Sequence, residues 1–270
     1  MPRHVRVQQL SSSGETRWIT DELSAEEPLE IRVDDQPLSV TMRTPGADFD
    51  LAVGFLLTEG IIAGADEIGS MRVCPHAETG AELNVVEVTL RRASALPLPA
   101  RNFFMTSSCG VCGKASIEAV RTRSRFDVGA DALQVAPATL TGLPGRLREA
   151  QQMFGRTGGV HAAGIFTGDG ELLCAREDVG RHNAFDKVIG WAATRGLLPL
   201  TSHIILASGR ASFELTQKAL MAGIPLLAAV SAPSSLAIDL AAQSGMTLVG
   251  FLRGERMNVY TGHQRVVSRR

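Results

Sequence analysis

Two cysteines separated by two residues carry the most distinctive chemistry in the sequence. Cys109 and Cys112 lie in the segment TSSCGVCGK, directly after serine residues that commonly cap the start of a helix. Free backbone N–H groups at a helix start stabilise a thiolate, which is the form of cysteine that attacks sulfur or binds a metal. The sequence therefore predicts Cys109 as the better nucleophile, with Cys112 one helical turn further on.

The glycines around this pair favour a mobile or closely approached loop over a well-formed helix. Gly110 and Gly113 each cost a helix about 1 kcal/mol relative to alanine. A mobile loop would let Cys109 move between a sulfur donor and an acceptor. The alternative, which the spacing alone leaves open, is a pair of half-buried thiols without a role.

Three chemistries compete for the pair. A structural zinc site normally has four Cys or His ligands, and no second CxxC or HxxxH accompanies this one, so we expect no metal site. A zinc deaminase needs a glutamate two residues after its histidine, whereas His161 is followed by Ala162 and Ala163. Dithiol redox chemistry and sulfur transfer both remain open.

Composition sets the class of protein. The net charge of −1 and the pI near 6.6 give no reason to expect a nucleic-acid or membrane partner. No stretch reaches 18 uninterrupted apolar residues, and the polar N-terminus lacks the apolar core of a signal peptide, so we expect a cytoplasmic protein. Four cysteines in 270 residues are too few for a disulfide framework.

The hydrophobic pattern changes near residue 100 and predicts two domains. Before it, a polar and aperiodic stretch to about residue 25 indicates a loose arm. A hairpin over 29–42, a helix capped by Asp48 and a strand over 86–90 follow. We predict a β-rich domain with one helix over residues 1–100 and an α/β domain over residues 101–270.

The second domain alternates short apolar strands with helices. A helix through Leu143 and Phe154, a hairpin around Gly168–Gly170 and a helix over 183–194 come first. Strands over 203–207, 226–230 and 247–252 then alternate with helices over 213–221 and 236–243. Continuously apolar strands separated by helices indicate a parallel sheet covered on both faces, so the fold class is α/β, or α+β for the whole chain.

Polar loops follow several of these strands and predict a ligand crevice. The carboxyl ends of parallel strands meet at one edge of a sheet, where free helix N–H groups favour an anion such as phosphate. Ordinary helix capping explains each loop almost equally well. The candidate ligand-binding residues are Ser208, Gly209, Arg210, Arg181, His182 and, less distinctively, His161.

The combined motifs resemble the FdhD family of formate dehydrogenase accessory sulfurtransferases. The resemblance covers about residues 26–262, and it implies a cytidine-deaminase-like α/β/α second domain without deaminase activity. The motifs that carry it are EPLEI at 27–31, LAVGFLLTEG at 51–60, SSCGVCGK at 107–114, TGGVHAA at 157–163, EDVGRHNAFDKVIG at 177–190, SGRASFELTQKA at 208–219 and LVGFLRGERMNVYTG from residue 248.

This resemblance implies a reaction. Cys109 would carry a persulfide taken from a cysteine desulfurase, and Cys112 would resolve the persulfide or shape the loop. The sulfur would pass to a molybdenum cofactor, bis-molybdopterin guanine dinucleotide, destined for formate dehydrogenase, and a GDP-like nucleotide should also bind. A homodimer is a further family expectation. The implied cofactor segment comprises Leu248, Val249, Gly250, Phe251, Leu252 and Arg253.

Two alternatives to this reaction stay open. The first is a chaperone that binds and delivers the molybdenum cofactor while its cysteines serve only as contacts. The second is a thiol-disulfide oxidoreductase that uses Cys109 and Cys112 as a dithiol. The two cysteines behave differently in each case, so a measurement on them separates the three readings.

Overall fold

A computed structural model describes residues 2–74, 84–91, 103–105 and 124–267, with the backbone alone at 103–105. Cys109, Cys112 and the helix predicted after Ser108 therefore lie outside the described residues. Within the described part the chain has a mixed α/β fold, as predicted.

Five strands in the order β5-β6-β3-β4-β7 form the first sheet. β3 and β4 make the predicted hairpin, and its two turn residues, Asp34 and Asp35, have the positive φ values of 49° and 61° that a two-residue hairpin turn requires. The strands are β3 (Glu27–Val33), β4 (Gln36–Arg43), β5 (Ile68–Cys74), β6 (Val85–Leu90) and β7 (Phe103–Met105). The domain division at residue 100 stays a prediction, and the strand that follows it, β7, pairs with β4 of this sheet.

The prediction of a loose N-terminal arm was wrong. Residues before 25 form an antiparallel hairpin of β1 (Arg3–Leu10) and β2 (Thr16–Leu23). The side chain of Glu22 bonds Arg156 at 2.7 Å, which ties the hairpin to the second half of the chain. Alternation of apolar Val5 and Val7 with polar neighbours, before a serine- and glycine-rich turn, was the signal of a strand.

The helix α1 (Asp48–Thr58) covers the first sheet, but Asp48 does not cap it. The N-cap is Ala47, in the left-handed conformation with φ 55° and without a side-chain hydrogen bond. Asp48 instead lies in the first turn and pairs with the buried Arg43, whose Nε is 3.0 Å from Oδ1. The carboxylate serves as an ionic partner of β4, and its negative charge still suits the positive end of the helix.

Six strands in the order β13-β12-β11-β10-β8-β9 form the second sheet. Strands β10, β11 and β12 are parallel, while β8 and β13 run opposite to their neighbours. The strands are β8 (His161–Thr167), β9 (Leu172–Asp178), β10 (His203–Ala207), β11 (Leu226–Ala229), β12 (Thr247–Arg253) and β13 (Arg256–Thr261). The three predicted strand-and-helix units are confirmed.

Helices cover both faces of this sheet. One face packs on α4 (Arg181–Thr194), α5 (Phe213–Met221) and α6 (Ser235–Gln243), and the other on α2 (Pro137–Ala150). The single helix predicted through Phe154 is in fact two, because the chain leaves the helical conformation at Gln151 before α3 (Gln152–Thr157) begins. The core is therefore layered α/β/α in this half.

Two glycines bring α1 and α4 into backbone contact. A Cβ added at Gly54 of α1 would overlap the backbone carbonyl of Asp186 in α4. A Cβ at Gly190 of α4 would likewise overlap the backbone carbonyl of Asp50 in α1. Only residues without a side chain permit this approach, so the pair fixes how the two halves pack.

A buried ion pair lies next to the same contact. Nζ of Lys218 in α5 lies 2.8 and 2.9 Å from the two carboxylate oxygens of Asp186 and donates to Oγ1 of Thr58 at 2.8 Å. Lys218 is 3% exposed and Asp186 is 1% exposed. The three residues come from α5, α4 and α1, so one polar network connects the helices of both halves.

Candidate functional site

The polar loops of the second sheet do converge at one edge. Strands β9 to β12 all end there, and the antiparallel strand β8 begins there. Ala207 at the end of β10 pairs with Ala163 near the start of β8 and with Ala229 at the end of β11. The structure therefore brings the start of β8 and the loops after β9, β10, β11 and β12 to a common rim.

Several residues of the 177–190 motif are buried and stabilise the fold, and they do not face the rim. Asp178 is fully buried and pairs with Lys187, with Nζ 2.7 Å from Oδ2. It also accepts hydrogen bonds from the backbone of Thr44 and from the side-chain amide of Asn183. Lys187 donates to the carbonyl of Thr44 at 2.8 Å, so this network holds the end of β4 against α4.

Glu177 of the same motif caps another helix. Its two carboxylate oxygens each accept a backbone N–H at 2.8 Å, one from Met153 and one from Phe154. These are among the N–H groups that the first turn of α3 leaves unpaired, and a carboxylate there also suits the helix dipole. Glu177 is thereby assigned to positioning α3.

Two further residues of the motif, Arg181 and His182, each have a buried side-chain nitrogen without a hydrogen-bond partner among the described residues. These nitrogens are Nε of Arg181 and Nε2 of His182. The closest charged neighbour of His182 is Glu214 in the first turn of α5, with Nε2 3.9 Å from Oε2. That distance is too long for a direct hydrogen bond.

The surroundings of Arg181 and His182 shift the pKa values of two neighbouring groups, Glu214 and His161. The adjacent His182 imidazole lowers the pKa of Glu214 to about 2, so the carboxylate is ionised across the physiological range. Burial lowers the pKa of His161, and the nearby charges of Arg181 and His182 lower it further. His161 lies beside Gly209, where an added Cβ would be 3.5 Å from Nδ1. His161, Arg181, His182 and Gly209 are thus close together.

In the loop after β10, Ser208 and Gly209 make structural hydrogen bonds, whereas Arg210 is exposed. The hydroxyl of Ser208 accepts the backbone N–H of Ala162 at 2.8 Å, so it joins β10 to β8. The carbonyl of Gly209 accepts the N–H of Ser231 from the next loop. Arg210 is exposed, and its guanidinium remains available to a ligand at the rim.

The segment over 248–253 presents few of its side chains to the rim. Leu248, Val249 and Leu252 are fully buried core residues. Their assignment to cofactor binding stays a prediction, and only their backbone atoms could contact a ligand. Phe251 has a φ of 52° at a break in the β12–β13 register, which is an uncommon and strained conformation for an aromatic residue. The guanidinium of the exposed Arg253 stacks 5.7 Å from the ring of Phe251.

Gly250 allows two rings to approach the backbone of β12. A Cβ there would be 2.8 Å from Cδ of Pro233 and 3.0 Å from Cε2 of Tyr260, both closer than ordinary contacts. Tyr260 is thereby added to the rim. The sequence contains one tyrosine, and its position after a glycine-containing strand offered no signal of this contact, which depends on the pairing of β12 with β13.

The described residues contain neither a metal-binding cluster nor a membrane-spanning helix. No group of three or more His, Cys, Asp or Glu side chains in that part of the chain could hold a metal ion. No helix within the described ranges has the length and hydrophobicity needed to cross a membrane.

Comparison with known proteins decides the family. The model of the FdhD/NarQ family matches residues 24–267. The chain belongs to the FdhD/NarQ family. The matched range includes both sheets, the CxxC segment and the whole rim described above.

Named relatives within the FdhD/NarQ family match nearly end to end. The sulfur carrier protein FdhD of Mycolicibacterium paratuberculosis is 59% identical over 261 residues, covering 94% of this chain and 95% of the relative. The proteins of the same name from Streptomyces avermitilis and an Anaeromyxobacter species are 56% and 45% identical. Their alignments both cover 92% of this chain, and cover 90% and 89% of the relatives respectively.

A crystal structure shows the same fold. The protein from Desulfotalea psychrophila, provisionally described as a formate dehydrogenase accessory protein, superposes with a TM-score of 0.77. The superposition covers 98% of this chain and 99% of the other, at 24% sequence identity. The arrangement of the two sheets is therefore shared with a distant chain.

Proposed function

We propose that this member of the FdhD/NarQ family is a sulfur carrier that accepts persulfide sulfur on Cys109 and passes it to a molybdenum cofactor bound along the rim. The named relatives at 45–59% identity are sulfur carrier proteins, and they match over almost their full length. The donor would be a cysteine desulfurase and the recipient enzyme a formate dehydrogenase. The cofactor is the substrate of the carrier.

The observation that carries the proposal is the position of β7, the strand that precedes the cysteine segment in sequence. Met105, the last residue of β7, pairs with Thr41 of β4. Thr41 in turn donates a hydrogen bond to Asn183, the residue after His182. Cys109 follows Met105 by four residues, and four residues span at most about 14 Å when fully extended. The chain length thus limits Cys109 to within about 14 Å of Met105, which is compatible with the proposed transfer to a cofactor at the rim.

The first chemical step is an exchange at sulfur. The Cys109 thiolate attacks the terminal sulfur of the persulfide on the desulfurase, a new S–S bond forms on Cys109, and the donor cysteine leaves as a thiolate. No net oxidation occurs, because one persulfide is exchanged for another.

The second step needs two electrons if the sulfur leaves as sulfide. Cys112 can supply them by attacking the inner sulfur of Cys109, which forms a Cys109–Cys112 disulfide and releases hydrosulfide toward the cofactor. The disulfide must then be reduced by an external thiol before the next cycle. In the alternative role, Cys112 only shapes the loop and the electrons come from another thiol.

The rim has the length and the chemistry for a nucleotide-bearing cofactor. Strands β8 and β12 are three positions apart in the sheet, which corresponds to about 14 Å at ordinary strand spacing. Basic side chains gather at the β8 end, and the rings of Phe251 and Tyr260 lie at the β12 end. Because the two ends of the rim differ in this way, the rim suits a ligand with phosphate at one end and a flat ring, such as guanine, at the other.

Intact mass measurement tests the sulfur carrier. Incubation with a cysteine desulfurase and cysteine should add the mass of one sulfur atom to the wild type, and Cys109→Ala should abolish the adduct. Cys174→Ala is the matched control, because Cys174 is 5% exposed and burial raises its pKa to about 11, so this thiol should not react. A wild type without an adduct but with bound cofactor would support the chaperone, and disulfide reductase activity without an adduct would support the oxidoreductase.

A further inference from the structure

The N-terminal hairpin of β1 and β2 is a sheet of two strands with two open edges. Within the described ranges no further strand pairs with either edge. Three of the six large apolar side chains that are exposed in those ranges lie in this hairpin, namely Leu10, Trp18 and Leu23, and Trp18 is 58% exposed. A hairpin of two strands is only marginally stable by itself. A further strand on one edge would cover apolar surface and pair free backbone groups.

The hydrogen-bond pattern of the hairpin shows which backbone groups of β2 point outward. At the turn, the N–H of Ser11 donates to the carbonyl of Glu15 at 2.9 Å, so these two residues form a hydrogen-bonded pair. In an antiparallel ladder such pairs alternate with pairs that are not hydrogen-bonded. In the register of β1 and β2, this alternation directs the backbone N–H and C=O groups of Trp18 and Thr20 away from β1.

The outer edge of β2 is complementary to itself. When two copies of β2 run antiparallel with Ile19 opposite Ile19, the outward groups of Trp18 in each copy meet those of Thr20 in the other. The same register places Arg17 opposite Asp21 on both sides of the twofold axis, and opposite charges in that position stabilise a sheet. Neither residue has an ion-pair partner elsewhere in the described structure, so both charges are available to a second copy.

The apolar side chains of the hairpin fit the same arrangement. Val5, Val7 and Ile19 lie on one face, where they are half-buried, and Val7 is directly opposite Ile19. Pairing of two β2 strands would join these side chains and their copies into one continuous apolar strip. On the other face, the exposed Trp18 rings of the two copies would become diagonal neighbours, which is within reach of aromatic side chains.

The outer edge of β1 lacks this complementarity. Its charged residues are Arg3, His4 and Arg6, which are all basic, so two copies of β1 side by side would bring like charges together. Charged side chains on an edge strand also discourage pairing with another chain. The edge of β2 is therefore the one that suits a second copy.

We propose that two copies of this chain associate through the outer edges of their β2 strands, which pair antiparallel about Ile19 and form a four-stranded sheet. The proposal does not depend on the proposed function, because it uses no residue of the rim or of the cysteine segment. About five residues of each chain, 17–21, take part, which is fewer than in an interface of standard size. The dimer is therefore weak, with a Kd on the order of micromolar or higher.

Sedimentation velocity of the full chain, from low micromolar to millimolar concentration, tests the contact. The wild type should pass from monomer to dimer. Arg17→Asp and Asp21→Arg each place like charges opposite each other twice, so each should weaken association about tenfold or more. The double variant, Arg17→Asp with Asp21→Arg, restores opposite charges at both places and should dimerise about as well as the wild type.

Three results would overturn the proposal. The first is a wild type that stays monomeric throughout, which would favour a different protein as the partner of this edge. The second is a dimer that neither single variant weakens, since its interface must then lie elsewhere. The third is a loss in the single variants that the double variant does not reverse. Circular dichroism melting of each variant verifies that the fold is retained.

Oxidative cross-linking tests the register independently. At the twofold axis the two copies of residue 19 form a pair that is not hydrogen-bonded, with Cα atoms about 4.5 Å apart, so Ile19→Cys should form a disulfide between two chains. Thr20→Cys is the matched control, because its two copies would lie about 8 Å apart, beyond the range of a disulfide. Peptide mapping distinguishes this link from any made by the native cysteines. Equal cross-linking of the two variants, or none in Ile19→Cys, would refute the register.

Discussion

Gly54→Ala is expected to destabilise the protein by about 3 kcal/mol or more, although alanine is the better helix former. The added methyl group would overlap the backbone of Asp186, which cannot turn aside as a side chain can. α1 and α4 must therefore separate along their contact, and overpacking of this kind commonly costs about 1–3 kcal/mol, with larger values where backbone is involved. Urea unfolding followed by circular dichroism measures the change in the free energy of unfolding.

Gly142→Ala is the matched control for this prediction. Gly142 also lies inside a helix, α2, but an added Cβ there would meet nothing within 4 Å. The same chemical change should stabilise the protein by up to about 1 kcal/mol through helix propensity alone. Equal unfolding midpoints for the two variants would show that α1 and α4 are not in backbone contact.

Lys218→Met is expected to cost about 3–5 kcal/mol, the usual penalty for removing one partner of a buried ion pair. Burial alone would lower the pKa of Lys218, but the charges of Asp186 and Glu59 raise it, so the lysine is charged in the folded protein. Without it, the buried carboxylate of Asp186 loses the cation that offsets its desolvation. Thermal and urea unfolding would both report the loss.

The pH dependence of this variant gives a sharper test. Burial already raises the pKa of Asp186, and loss of the Lys218 charge should raise it further. A raised folded pKa means that the folded state holds more protons than the unfolded state, so stability falls as pH rises above the unfolded value of about 4. The deficit relative to wild type should therefore be larger at neutral than at acidic pH.

A double variant serves as the control for the buried pair. Asp186→Asn combined with Lys218→Met removes both charges and nearly preserves the volume. It should be more stable than Lys218→Met alone and should lack the extra pH dependence, since position 186 no longer carries an acid. A double variant as unstable as the single one, with the same pH profile, would contradict the account.

Much of the second sheet could be predicted from sequence because local signals agree there. The apolar runs over 203–207, 226–230 and 247–252 are strands at almost the predicted positions. Asp34 and Asp35 likewise form the predicted turn, since they tolerate the left-handed conformation it needs. The common rim followed from the parallel order of the strands, which fixes where their ends meet.

The roles of the polar motif residues could not be predicted, because their partners are distant in sequence. Lys187 reaches Thr44 across 143 positions, and Lys218 reaches Thr58 across 160. A lysine within a helix normally indicates a solvated face, so no local pattern distinguishes these two buried cations. Cys109 and Cys112 lie outside the described residues, so their role stays a prediction from the sequence.

The interlocked glycines of α1 and α4 also bear on how the molecule unfolds. Separating the two halves would take the Thr58 hydroxyl from Lys218 and the Thr44 carbonyl from Lys187, and it would open both buried ion pairs to water. Heat or denaturant should consequently unfold both sheets in a single cooperative transition. A fragment cut near residue 100 would therefore not be expected to fold on its own.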